Sequence, residues 1–227
     1  MGTAHRRHKD AVYEQLARVG KALASPKRLD LLDLLSQAPR TVEDLADLAG
    51  LGVGNTSQHL KVLREAGLVE SEKRGLYVTC HLAGDDVARF LVAMRRLAEE
   101  HLAELPMAMR RVLGGKRPAE AVDGPELVAR IRRGEVVVLD VRPPEEYRSG
   151  HVPGARSIPL AELAARLAEL PTDVPVVAYC RGPYCVYAAD AVDLLKRHGY
   201  DATRMDQGVA DWRSHGWPIE TNEETHP

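Results

Sequence analysis

The 227-residue chain reads as two domains of different class, a mainly α segment closed by a two-stranded hairpin and then an α/β segment with a parallel sheet. Three observations carry this. Apolar residues recur at helical spacing in several stretches before the first β-rich runs, at residues 68–71 and 76–79. After residue 122, short apolar runs such as Val136-Val137-Val138-Leu139-Asp140-Val141 alternate with amphipathic helices, the pattern of strands covered on both faces. Between the two lies Gly114-Gly115-Lys116-Arg117-Pro118, a breaker-rich linker. The boundaries are residues 1–113, a linker at 114–121, and 122–227.

Composition sets outer bounds. Three cysteines in a chain this long do not make a disulfide framework and suit a reducing cytoplasm. No apolar run reaches the length of a membrane span, and Met1-Gly2-Thr3-Ala4-His5-Arg6-Arg7-His8 lacks the apolar core of a secretion signal, so no membrane partner is expected. The net charge is −2. Split at residue 115, the first part carries 17 Lys/Arg against 15 Asp/Glu and the second 14 against 18. That mild asymmetry permits a front half that meets nucleic acid.

Taken in order, Val12, Leu16, Val19 and Leu23 share one face of a helix over residues 9–24. Ser25-Pro26 is a start signal, an N-cap followed by proline at the first helical position. The helix it opens packs Leu29, Leu32 and Leu35 and stops near Ala38-Pro39. Thr41 caps a short helix with Glu43 and Asp44 in its first turn, where the dipole favours anions, and Leu45, Ala46 and Leu48 as its inner face. Gly50-Leu51-Gly52 turns into a further helix, residues 53–66, ended by Gly67. Two strands at 68–71 and 76–79 follow, with Glu72-Lys73-Arg74-Gly75 as a basic hairpin tip.

Three short helices followed by a two-stranded wing make a winged helix-turn-helix. Leu23-Ala24-Ser25-Pro26-Lys27-Arg28-Leu29, Ser57-Gln58-His59-Leu60-Lys61-Val62-Leu63 and Ala66-Gly67-Leu68-Val69 resemble the ArsR family of bacterial regulators over residues 12–105. Leu60 and Leu63 are core by spacing. Asn55, Ser57, Gln58 and His59 lie where a recognition helix presents side chains to base edges of double-stranded operator DNA. Lys61 and Arg64, with Lys73 and Arg74 on the wing, suit phosphate contacts. The plain alternative is a solvated polar face. A long helix, residues 84–112, carries Val87, Phe90, Leu91, Met94, Leu97, Leu102, Leu105 and Met109 as a stripe wider than one small domain needs, and Pro106 bends or ends it. The resemblance implies that this helix and the first build a homodimer, as reading two half-sites requires.

Regulators of this family often hold metals, but Asp44-Leu45-Ala46-Asp47-Leu48 has no cysteine and Asp85-Asp86-Val87 lacks the Asp-x-His pair. His101 and Glu104 alone rarely make a site. Neither metal nor cofactor is expected. Cys80, closing the second wing strand, reads as a small structural residue.

In the second segment, Asp123-Gly124-Pro125-Glu126 opens a helix with Leu127, Val128 and Ile131; a strand follows at 136–141, a short one near Ile158, a helix at 160–170, a strand at 176–179, a helix at 183–198 and a last strand at 202–205. The chemistry belongs at the strand ends. In Val176-Val177-Ala178-Tyr179-Cys180-Arg181-Gly182-Pro183-Tyr184-Cys185, Arg181-Gly182-Pro183 breaks the strand and Pro183 suits the first turn of the next helix. Cys180 therefore faces a helix amino terminus beside Arg181, a setting that lowers a thiol pKa below its ordinary value of about 8.5. The plain alternative is a buried core cysteine.

Asp140-Val141-Arg142, Glu146-Tyr147, Gly150-His151-Val152-Pro153-Gly154-Ala155, Ile158-Pro159, Gly208 and Trp212 resemble the rhodanese family of sulfurtransferases over residues 122–220. The resemblance implies that Cys180 attacks a sulfur donor and carries Cys–S–S⁻ in a nest of backbone N–H groups. Asp140 and Arg142 orient the loop, and His151 packs structurally. The family's loop runs Cys-x-x-Gly-x-Arg; here Pro183 stands at the glycine and Cys185 at the arginine. The cation for thiosulfate is thereby reduced to Arg181, and a second thiol can resolve a persulfide into a di- or polysulfide, unless Cys185 is merely a buried helix residue.

These readings combine into a homodimeric DNA-binding regulator whose second domain senses or transfers reactive sulfur, from polysulfide, persulfide or thiosulfate, through Cys180 and Cys185. The alternative is a sulfurtransferase with a subsidiary DNA domain. A third reading places the sensor at Cys80.

Overall fold

The computed structural model describes residues 2–75, 77–114 and 122–222, with the backbone alone for residues 2–5 and Arg74. The linker beyond Gly114, Leu76 and the Arg74 side chain thus lie outside the described residues. The chain divides into two compact units, Met1–Val87 and Ala88–Pro227.

The first unit runs α1 (Gly2–Leu23), α2 (Pro26–Gln37), β1 (Arg40–Thr41), α3 (Val42–Ala49), α4 (Val53–Glu65), β2 (Val69–Arg74) and β3 (Tyr77–Leu82). Thr41 closes a capping box: its hydroxyl accepts from the Asp44 N–H at 3.1 Å and Asp44 accepts from the Thr41 N–H at 3.3 Å. Ser25 holds the extended N-cap conformation before Pro26, though its side chain makes no cap hydrogen bond. Leu31, Leu32, Leu35, Leu45, Leu60 and Leu63 are buried as the core of α2, α3 and α4.

Four expectations are corrected here. Leu48 points outward, 45 % exposed, and Ala49 takes the inner position, because it lies one turn on from Leu45 and Ala46. The wing is longer than its apolar runs: β2 runs on through Glu72, Lys73 and Arg74 to Gly75, since exposed ladder positions such as those of Glu72 and Lys73 accept charged residues. The two-residue β1, too short to leave a pattern, pairs with β3 and makes a three-stranded sheet of order β1-β3-β2. Cys80 is therefore no strand end. It pairs with Arg40 on one side and Ser71 on the other and is fully buried.

The second unit contains most of α5 (Asp85–His101), then α6 (Glu104–Val112), α7 (Gly124–Arg132), β4 (Val137–Asp140), α8 (Pro144–Ser149), β5 (Arg156–Ser157), α9 (Leu160–Arg166), β6 (Val176–Tyr179), α10 (Tyr187–Arg197), β7 (Ala202–Arg204) and α11 (Val209–Ser214). Both α5 from Ala88 and α6 group with this unit, whereas the sequence places them with the first. The expected single helix over 84–112 is two. A proline ring clashes with the carbonyl four residues back, here Leu102, so the break precedes Pro106, which sits in the first turn of α6.

The parallel sheet has the order β5-β4-β6-β7. Its two faces carry separate cores. Leu139, Ile158, Leu163, Ala178, Cys180 and Leu195 lie in one, and Leu127, Val138, Val177, Tyr179, Val209 and Trp212 in the other. This is the two-sided burial that the unbroken apolar runs imply. The helix expected from residue 183 begins instead at Tyr187, and α8 and α11, each six residues long, escape periodicity.

Candidate functional site

Side by side, Asp140 and Tyr179 end β4 and β6. Asp140 and Arg142 are fully buried and bonded to each other. Arg142 Nη2 donates to Asp140 Oδ2 at 2.6 Å and to the Gly150 carbonyl at 2.7 Å, and Nε donates to Asp140 Oδ1 at 3.0 Å. The Tyr179 hydroxyl donates to Asp140 Oδ2 at 2.5 Å and accepts from the Val152 N–H at 3.1 Å. Fully buried and with its acceptors occupied, this pair is a strut under the strand ends. His151 is structural as expected: it stacks on Tyr147 at 3.7 Å and bonds the Tyr147 carbonyl at 2.8 Å.

Cys180 follows Tyr179, and residues 181–186 form a loop before α10. Gly182 takes φ +138°, which L side chains rarely adopt, and a Cβ on Gly208 would collide with the Arg181 carbonyl oxygen. Both positions need glycine for the loop to close. It brings the two thiols together, but with protonation opposite to the expectation. Cys180 is only 2 % exposed. Its Sγ meets the carbonyl oxygens of Cys185 at 3.5 Å and Gly182 at 3.9 Å. Burial first, and its hydrogen bond to Cys185 second, push this thiol well above its ordinary value, against the N–H groups of Ala188 and Gly182.

Cys185 is half-buried and is the acidic partner. The S–H of Cys180 stabilises its thiolate, and N–H groups of Tyr187 and Arg181 add to this against the cost of burial, lowering Cys185 to about 7. N–H groups of the first turn of α10 favour a thiolate at both cysteines, but at Cys180 burial outweighs them.

Arg181 is likewise corrected. Its guanidinium forks onto Glu146, Nη2 to Oε1 at 2.7 Å and Nε to Oε2 at 3.1 Å, and lies 5.6 Å from the Tyr187 ring centre. A cation so committed is poorly placed to hold a sulfonate. Glu146 and Tyr179 are thus site residues whose roles the sequence did not disclose, although Glu146-Tyr147 stands within the motif that carries the resemblance.

In the first unit, Asn55, Ser57, Gln58, Lys61, Arg64 and Lys73 are exposed and His59 is half-buried, while Thr56, Leu60 and Leu63 face inward. One side of α4 is therefore free to meet a ligand along its length. Lys61 pairs loosely with Glu65 at 3.9 Å, and Arg64 donates to the Ser71 hydroxyl at 3.0 Å, joining α4 to the wing. Burial raises the Cys80 thiol above its ordinary value. His101 is exposed beside Glu100, and among the described residues no group of three or more His, Cys, Asp or Glu is placed to hold a metal. None of their helices is long and apolar enough to cross a membrane.

Residues 25–71 match the family described as bacterial regulatory protein, arsR family, and residues 124–215 match the rhodanese-like domain. The HTH-type transcriptional regulator Rv0324 of Mycobacterium tuberculosis is 47 % identical over 212 residues, 93 % of each chain. A sulfurtransferase of Allochromatium vinosum is 34 % identical over 100 residues, 43 % of this chain and 92 % of that one. The solution NMR structure of a homodimeric winged helix-turn-helix DNA-binding domain, Mb0332 of Mycobacterium bovis, is 43 % identical, covers 42 % of this chain and 89 % of that one, and superposes with a TM-score of 0.40. The motifs of both halves and the full-length relative agree, and the chain belongs to the arsR family of bacterial regulatory proteins, as a transcriptional regulator with a rhodanese-like domain at its carboxyl-terminal end.

Proposed function

We propose that this regulator changes its grip on operator DNA when reactive sulfur loads the Cys180–Cys185 pair. The observation that carries the reading is the pair itself, one thiol buried and protonated, the other half-exposed and ionising near neutral pH. Cys185 thiolate attacks an inorganic polysulfide, whose S–S bond breaks and whose remainder leaves as a shorter polysulfide. Cys185 then carries two added sulfurs. Cys180 attacks the nearer one, hydrosulfide leaves with the Cys180 proton, and a trisulfide joins the residues; polysulfide is the oxidant. An inserted sulfur relaxes the roughly 4.4–6.8 Å Cα separation that a plain disulfide requires.

A thiosulfate:cyanide sulfurtransferase is the rival. Its support is the similarity to a sulfurtransferase; the Arg181–Glu146 fork and the thiol at the arginine position weigh against it. Mass spectrometry after polysulfide treatment decides between them. Sulfur bridging the peptides of Cys180 and Cys185 is the expected product, whereas sulfur confined to Cys180 with rapid turnover of thiosulfate would favour the enzyme.

On the DNA side the reading assigns Asn55, Ser57, Gln58 and His59 to bases and Lys61, Arg64, Lys73 and Arg74 to phosphates. The functional division stays at residues 1–113 and 122–227. A homodimer is supported by apolar faces left open at Val12, Tyr13 and Leu16 on α1 and at Phe90 and Leu97 on α5. Gln58→Ala should cost about 1–3 kcal/mol on the operator alone. Lys61→Ala should weaken binding to any sequence and reduce the salt slope by about one. Equal losses for Gln58→Ala on operator and random DNA would remove Gln58 from base readout.

A further inference from the structure

The loop that lost the family's arginine has a guanidinium beside it from elsewhere in the chain. Arg95 of α5, partly exposed, forms an ion pair with the buried Asp211 of α11. A Cβ on Gly182 would stand 3.6 Å from Arg95 Nη1 and 3.7 Å from Asp211 Oδ2, so the pair borders the backbone of the thiol loop. Asp211 also accepts from the Gly208 N–H at 3.0 Å, and Gly208 packs on the Arg181 carbonyl. Farther along α5, Glu99 lies 3.6 Å from Arg95 and accepts from the Tyr184 hydroxyl of the loop at 3.3 Å. Arg96 reaches His215, the residue after α11, at 3.0 Å. The loop is therefore bordered by two residues of one helix, Arg95 and Glu99.

We propose that Arg95, carried by a helix outside the rhodanese-like segment, is the positioning cation of the thiol loop. By neutralising Asp211 it keeps that carboxylate from opposing an anionic sulfur at Cys185, and it makes α5 part of the sulfur site. The charged and titratable groups gathered at the loop are Cys180 just after β6, Arg181 with its partner Glu146 of α8, Tyr187 of α10, Asp211 of α11, and Arg95 and Glu99 of α5. In this set Asp211 and Glu99 both pair with Arg95, and Asp211 is the one that borders the loop backbone at Gly182. Without Arg95, an unscreened carboxylate disfavours the thiolate, as any like charge at short range does. The rest of α5 then feels the loop directly, since a change in the sulfur must move or reload Arg95 and Glu99.

This inference deepens the sulfur reading and rests on it for its purpose, but its test does not need sulfur. In the full-length protein, Cys185 alkylation by iodoacetamide should rise as pH increases through about 7, because the thiolate reacts. In Arg95→Gln that rise should move to higher pH, and the rate at pH 7 should fall about three- to fivefold, which corresponds to a midpoint higher by roughly 0.7–1 for a thiol half ionised at pH 7. Arg95→Lys should restore most of the rate. Arg95→Gln/Asp211→Asn, which removes both charges and avoids an unpaired buried carboxylate, should return the midpoint towards wild type.

A wild-type profile in Arg95→Gln, or a double variant as slow as the single one, would overturn the proposal. If Arg95→Gln does not fold, Asp211→Asn decides: with Arg95 left unopposed the Cys185 midpoint should fall below that of wild type, and an unchanged or higher midpoint contradicts the proposal. Failure of the sulfur reading is seen separately, as absence of added mass from polysulfide while the alkylation midpoint still follows Arg95.

Discussion

Two neighbouring strand ends of one parallel sheet are built to opposite purposes. At the end of β4, Asp140 and Arg142 are fully buried and bonded to each other, to Gly150 and to Tyr179. At the end of β6, Cys180 enters a loop bent at Gly182 and meets a second thiol whose protonation differs from its own. The first end holds its charges where they neutralise each other and nothing can approach. The second leaves Cys185 half-exposed, with an anion ready near neutral pH. A reactive sulfur is useful only if its position is fixed, and the buried pair fixes Tyr179, the residue before Cys180, from behind.

The sharpest way to break this comparison is to exchange stability for chemistry at each end. Asp140→Ala leaves the Arg142 guanidinium buried without its carboxylate, and urea unfolding should show a loss of about 3–5 kcal/mol. Cys185→Ser, a small change at a half-buried loop position, should cost about 1 kcal/mol or less and yet abolish the sulfur bridge. Similar stability losses for the two would mean that both strand ends are structural.

Much of this organisation was legible in the residues, and the exceptions have physical causes. The Thr41 cap and the Asp140–Arg142 contact join near neighbours in sequence, so the residues involved could be singled out beforehand. The start of α10 could not. Pro183 fits a helix opening, but the loop needs the residues up to Val186 to wrap two thiols, and α10 begins at Tyr187. The sign of the Cys180 shift differs from the expectation because the sequence offers both a helix terminus and a buried site, and only the fold shows that burial outweighs the helix. Arg95 and Glu99 left no signal at all: they meet partners 116 and 85 residues away, on surfaces that only the fold brings together. The break at Leu102 was half-visible in Pro106, whose effect falls four residues earlier.

The central claim is that the thiol pair in the loop after β6 is the switch for the DNA-binding half. Gel shifts on operator DNA, with and without polysulfide, test it most directly in wild type, Cys180→Ser, Cys185→Ser and Cys80→Ser. Polysulfide should change the affinity of wild type and Cys80→Ser by about fivefold or more, the lower range of ordinary allosteric coupling, and leave both loop variants unmoved. A full response in Cys180→Ser and Cys185→Ser, or its loss in Cys80→Ser alone, would contradict the account and place the switch in the wing.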